Sequence, residues 1–158
     1  MGNSSKIATF AGLMLLCGPV WAACRADVVE LQGAGGKARF TVEVAADAVA
    51  RATGLMNRPK MAMGTGMLFV YPAPKKASFW MKNTLIPLDM IFADATGTVT
   101  RVHDNAQPMD RTSIDGGTDV QFVLEINGGL AKRLQITPGT VLRHPAVDPA
   151  TAAWACAE

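Results

Sequence analysis

The chain of 158 residues is short of charge, aromatic rings, histidine and cysteine. Only 18% of its residues are charged, and 15 Lys+Arg stand against 13 Asp+Glu, a net charge of +2. That leaves no excess of either sign to hold nucleic acid or another charged polymer. The same low charge beside 49% hydrophobic residues excludes a disordered chain. The chain has two histidines and three cysteines, with no Cys-x-x-Cys and no histidine pair on one helix face. No metal site and no cofactor are therefore expected. There is no Gly-x-Ser-x-Gly elbow for a serine nucleophile. Gly33-Ala34-Gly35-Gly36 precedes a strand rather than a helix, so it reads as a hairpin turn and not a phosphate loop. No repeat is present, and the length fits one domain. A chain near ~150 residues buries roughly 70% of its unfolded surface, enough for a true core.

What is present begins with an export signal. Lys6 is the only charge before Arg25, and an apolar run extends from Ile7 to Cys24. The run falls short of the ~20 residues of a membrane span. Gly18-Pro19 breaks it, and Val20-Trp21-Ala22 then offers the small or modest side chains that a signal peptidase reads. Residues 1–22 are therefore expected to be a signal peptide, with the protein exported to the periplasm and no transmembrane span left after cleavage. Cys17 departs with that segment, leaving Cys24 and Cys156 near the two ends of the mature chain. In an oxidising compartment such a pair is expected to form a disulfide. The competing expectation is a lipoprotein anchored through Cys24, whose acylated sulfur could not pair.

The mature chain reads as a short lead-in (23–37), a single domain (38–144) and a surface tail (145–158). Arg39–Val44 alternates as a half-buried strand. Asp47 is placed to cap a short helix reaching Met56, with Val49, Ala52 and Met56 on its buried face. Met67–Tyr71 reads as a strand closed by Pro72 and Pro74, followed by strands at Ala77–Lys82, Leu88–Ala93 and Thr98–Val102. Asp115-Gly116-Gly117 reads as a turn, Val120–Asn127 as the clearest strand, Leu130–Leu134 as a helical turn and Thr140–Arg143 as a last strand. About seven short strands with one or two short helices predict a mainly β fold, an antiparallel β-sandwich or small barrel.

Several segments carry a resemblance. They are Gly54-Leu55-Met56-Asn57-Arg58, Gly66–Val70, Ser78-Phe79-Trp80-Met81-Lys82-Asn83-Thr84 on to Met90, Asn105–Pro108, Val123–Gly129 and Pro138-Gly139. In this order they resemble domain-of-unknown-function family 192, small and often exported prokaryotic proteins. The similarity runs from about Ala38 to His144, and it departs at Gln135 and Thr140 around the closing turn. The resemblance implies a mostly β, sandwich-like fold and brings no catalytic mechanism.

Polar residues set among apolar strands are the strongest candidates for a site. Period two places Trp80 and Lys82 on one face of their strand, and Glu125 with Asn127 on one face of another. Asp89 interrupts Leu88–Phe92, where a carboxylate is costly to bury unless paired. Lys82 is the expected partner. Trp80, Lys82, Asp89, Glu125 and Asn127 are expected to line one polar cleft with an aromatic floor, suited to a small polar ligand such as a sugar. The predicted role is a binding or accessory module. The alternative is a small hydrolase-like enzyme with Asp89 and Glu125 as an acid/base pair.

Overall fold

A computed structural model of the protein describes residues 24–157; the segment expected to be a signal peptide lies outside the described residues. Seven strands run in the order β1 (Val28–Gly33), β2 (Gly36–Ala45), β3 (Thr65–Phe79), β4 (Leu88–Ala93), β5 (Val99–Ala106), β6 (Ile114–Asn127) and β7 (Val141–Arg143). Two short helices, α1 (Ala48–Thr53) and α2 (Leu130–Arg133), precede β3 and β7. The strands form one sheet in the order β5-β4-β6-β3-β2-β1-β7. It curls until its two edges approach. Val99 N–H donates to the Thr140 carbonyl at 2.8 Å, and Leu142 N–H to the Gly97 carbonyl at 2.8 Å.

The mainly β class with short helices is as the sequence predicts. Three details differ. β1 lies within the segment read as a lead-in, hairpinned to β2 with Gly33 opposite Gly36, where Gly36 takes φ 93°. β2 and β3 pair in parallel, with residues 46–64 as the crossover that a parallel pair requires. β3 also continues through Pro72 and Pro74. Its register with β6 shifts between Val70 and Lys75, so the prolines fall where no ladder donor is needed.

Side chains from all seven strands fill the inside of the curl, among them Leu31, Phe40, Leu68, Ile91, Phe122, Leu124 and Leu142. A second cluster lies on the outer face of β3, β4 and β6, built from Met67, Phe69, Met81, Leu88, Met90, Phe92 and Val123. β4 is consequently buried at all six positions. The second cluster matters for function, because it is roofed by the crossover and by the loop of residues 80–87.

Asp47 caps α1 as expected, accepting from Ala50 N–H at 2.8 Å. The expected buried helix face is not formed: Val49 is 76% exposed and α1 has no buried residue. The helix ends early at Gly54, whose φ of 50° and close approach to Phe69 suit glycine; a Cβ there would lie 3.2 Å from Phe69 Cζ. The tail is also less free than expected. Val147 is buried, Ala153 N–H bonds Thr96 O at 2.9 Å, and Trp154 stacks on Arg143. Cys24 and Cys156 are joined by a disulfide with Cα atoms 5.5 Å apart, tying the tail to the segment that leads into β1.

Candidate functional site

Glu125 stands near the C-terminal end of β6, directly between Met67 on β3 and Met90 on β4. Cross-strand neighbours share a face, so its carboxyl points into the outer apolar cluster. It is 4% exposed. No described residue bonds it, and burial alone pushes the carboxyl up to about 8. A buried carboxyl without a partner costs free energy, and it is tolerated here because it faces a cavity. That cavity has a volume of about 220 Å³.

The cavity lies between α1, β3, β6 and the start of the 80–87 loop. Phe69, Tyr71, Phe79 and Trp80 supply aromatic walls, with Gly54 to Met56 along one side. Phe79 is gripped edge-on between Phe69 at 5.3 Å and Phe92 at 5.7 Å, geometry that fixes rings in place. Trp80 is 49% exposed and forms part of the rim. The rim is fastened where Asn57 N–H donates to Asn83 O at 2.7 Å, both residues taking positive φ. Asparagine tolerates that conformation better than most side chains.

Two further polar groups reach the same space. Arg51, on α1, donates Nη1 to Val70 O at 2.9 Å and to Ala46 O, and lies over the Tyr71 ring at 5.1 Å. Burial raises the Tyr71 hydroxyl above its ordinary range; Arg51 pulls it down and Glu125 pushes it up. The hydroxyl therefore sits within the field of both charges.

The other expected site residues go elsewhere. Asp89 is wholly buried, but its partner is not Lys82. Its oxygens accept from three backbone amides: Asn105 at 2.7 Å, Gly129 at 2.8 Å and Ala131 at 2.7 Å. The carboxylate thereby closes the N-terminal turn of α2 and holds the end of β5. Lys82 follows the end of β3, so the expected strand through it is absent, and its Nζ lies 5.2 Å from the Trp80 ring. Asn127 donates to Met61 O at 3.2 Å and Ala62 O at 3.1 Å, pinning the crossover outside the cavity. Trp80 and Glu125 thus share one cavity, whereas Lys82, Asp89 and Asn127 do not line it.

The proposed acid/base pair does not form either. Met90 is the residue opposite Glu125, and Asp89 is opposite Ile126. Adjacent residues point to opposite faces, so the two carboxyls lie on opposite sides of the sheet and cannot act on one bond.

Residues 29–144 match the family DUF192, described as uncharacterised. The chain belongs to that family. Two solved structures are similar. A protein of unknown function from Novosphingobium aromaticivorans shares 41% identity, with a TM-score of 0.71 over 73% of this chain and 82% of its own. A proposed transcription regulator from Sinorhizobium meliloti shares 41% identity, with a TM-score of 0.72 over 77% of this chain and 95% of its own. No curated protein is similar to this chain. Three of the segments that carry the family resemblance meet at the cavity. Gly54 to Met56 form one side, Ser78 to Trp80 with Thr84 another, and Glu125 the floor.

Sequence reasoning missed Phe69, Tyr71 and Arg51. Tyr71 is the chain's only tyrosine and Arg51 the only charge within α1. Each could have been marked as unusual, but nothing in one dimension shows that they face Glu125.

Proposed function

We propose that this is an exported binding or accessory module that holds a small polar ligand in the cavity over Glu125. The observation that carries this reading is the buried carboxyl itself. It has no partner among the described residues, it lies in a cavity walled by four aromatic rings, and a merely structural residue there would cost the fold less if it were apolar. Fixed aromatic faces with a few converging polar groups suit a small molecule. The Sinorhizobium protein's description as a regulator finds little support here. Among the described residues the helices are six and four residues long, too short to serve as a groove-reading helix.

A thermal-shift screen of small polar metabolites on the mature protein tests the reading. A ligand present at a hundred times its Kd stabilises the folded state by about 2.7 kcal/mol. The Trp80→Ala variant is expected to stay folded, because the ring is half exposed, and to lose at least tenfold in affinity. A hit whose affinity is unchanged in Trp80→Ala would place binding elsewhere, and a screen without hits would count against a ligand site.

Export belongs to the same proposal. It is supported by Lys6 and the apolar run that follows it, and by a disulfide of the kind that persists in oxidising compartments. The bridge also occupies the sulfur that a lipid anchor would need. Intact mass of protein recovered from the cell envelope is expected to begin at Ala23, without acylation. A mass that retains Met1 to Ala22, or that carries lipid on Cys24, would contradict it.

A further inference from the structure

The cavity is lined by a guanidinium, that of Arg51, and by a carboxyl, that of Glu125, and no hydrogen bond joins the two. Glu125 feels burial and nothing else; Arg51 makes no contribution to its state. Tyr71 feels both groups, in opposite directions, and its ring lies 5.1 Å from the Arg51 guanidinium. Arg51 spends Nη1 on two backbone carbonyls, and its remaining N–H groups have no partner among the described residues. A guanidinium held by one edge and stacked on an aromatic ring is preorganised to take a carboxylate on its free edge.

From this we infer that the ligand is a small zwitterion, an α-amino acid or a close relative, with its ammonium group on Glu125 and its carboxylate on Arg51. The inference rests on the binding role proposed above and narrows its ligand class. Its size follows from the cavity: about 220 Å³ is below the ~300–1,000 Å³ of drug-sized pockets. The aromatic rings add attraction for an ammonium group approaching over their faces. Competing classes fit less well. A sugar would use the rings but leaves the guanidinium without a charged partner. A tetraalkylammonium ion would meet Glu125 but leave Arg51 facing a cation. A simple anion would meet Arg51 and leave Glu125 without a partner.

The arrangement also gives binding a pH signature. The ionisable groups on the cavity are Arg51 from α1, Tyr71 from β3 and Glu125 from β6, while β4 presents Met90. Glu125 in the empty cavity keeps its proton up to about pH 8. An arriving ammonium group displaces that proton to solvent and forms the ion pair. Affinity therefore rises between pH 6 and 8, by up to about tenfold per pH unit, and levels off above.

Isothermal titration of the mature protein tests the inference, using the twenty protein L-amino acids at pH 8. For the tightest binder, the N-acetyl derivative removes the ammonium charge and the carboxamide removes the carboxylate. Each is expected to bind at least tenfold more weakly than the parent, and Glu125→Gln is expected to abolish the pH dependence. Glucose and tetramethylammonium serve as the competing probes. Blocked forms that bind as well as the parent would overturn the zwitterion. So would glucose or tetramethylammonium binding where no amino acid does, although the cavity would remain a ligand site. Absence of binding by every probe, together with an empty metabolite screen, would remove both readings.

Discussion

Glu125→Gln is expected to stabilise the protein, and to do so most in alkaline solution. The physical reason is that the folded chain holds the carboxyl neutral. In the unfolded chain the group ionises around its ordinary 4.5; in the folded one burial delays this to about 8. The folded state thus binds more protons than the unfolded state between those values, and stability falls as pH rises across that window. The stability is fully present below 4.5 and is lost as pH rises through 8. A gap of that size corresponds to on the order of 5 kcal/mol at full ionisation. Glutamine keeps the shape and cannot ionise, so its variant should match the parent near pH 4 and exceed it by a few kcal/mol near pH 9. Urea denaturation at four or five pH values reads this directly. Parallel pH profiles for parent and variant would show that Glu125 ionises freely in the folded protein, and the buried lone carboxyl would be refuted.

The second large effect runs the other way. Asp89→Asn is expected to destabilise the fold by roughly 2–4 kcal/mol, since three charge-assisted bonds to backbone amides become at most two neutral ones. The new amide must also turn a donor toward one of the three N–H groups. Lys82→Met is the companion variant. If Asp89 were held by that lysine, losing the cation would cost as much as losing the carboxylate. With the lysine lying on Trp80 instead, the change should stay within about 0.5 kcal/mol. A large loss in Lys82→Met would contradict the amide cradle.

These two carboxyls also show how far the sequence could be read. Period two located both correctly within their own strands: Asp89 opposes Leu88, Met90 and Phe92, and Glu125 opposes Phe122, Leu124 and Ile126. Periodicity fixes faces inside a strand, but the relation between strands depends on register. The β4–β6 register sets Met90, not Asp89, beside Glu125. A one-residue difference in pairing separates an acid/base pair from two unrelated groups. Asp89's partners were equally hidden, because they are amides from residues 105, 129 and 131, at the end of β5 and the start of α2. Backbone donors leave no mark on side-chain composition. The same holds for β3. Pro72 and Pro74 correctly signal a break in the ladder, but the bulge keeps the strand direction and delivers Tyr71, Ser78 and Phe79 to one cavity. Elements that depend on local chemistry were legible, as with Asp47 at its cap and the Gly33–Gly36 hairpin.

Everything proposed for the cavity depends on one carboxyl being buried, unpartnered and open to a ligand. Carbon-13 NMR of the Glu125 side-chain carboxyl, followed from pH 4 to 10 in the unliganded protein, tests that most directly. A midpoint near 8 is the expected result. A midpoint near the ordinary 4.5 would mean that water or a cation already satisfies the group, and would contradict the account.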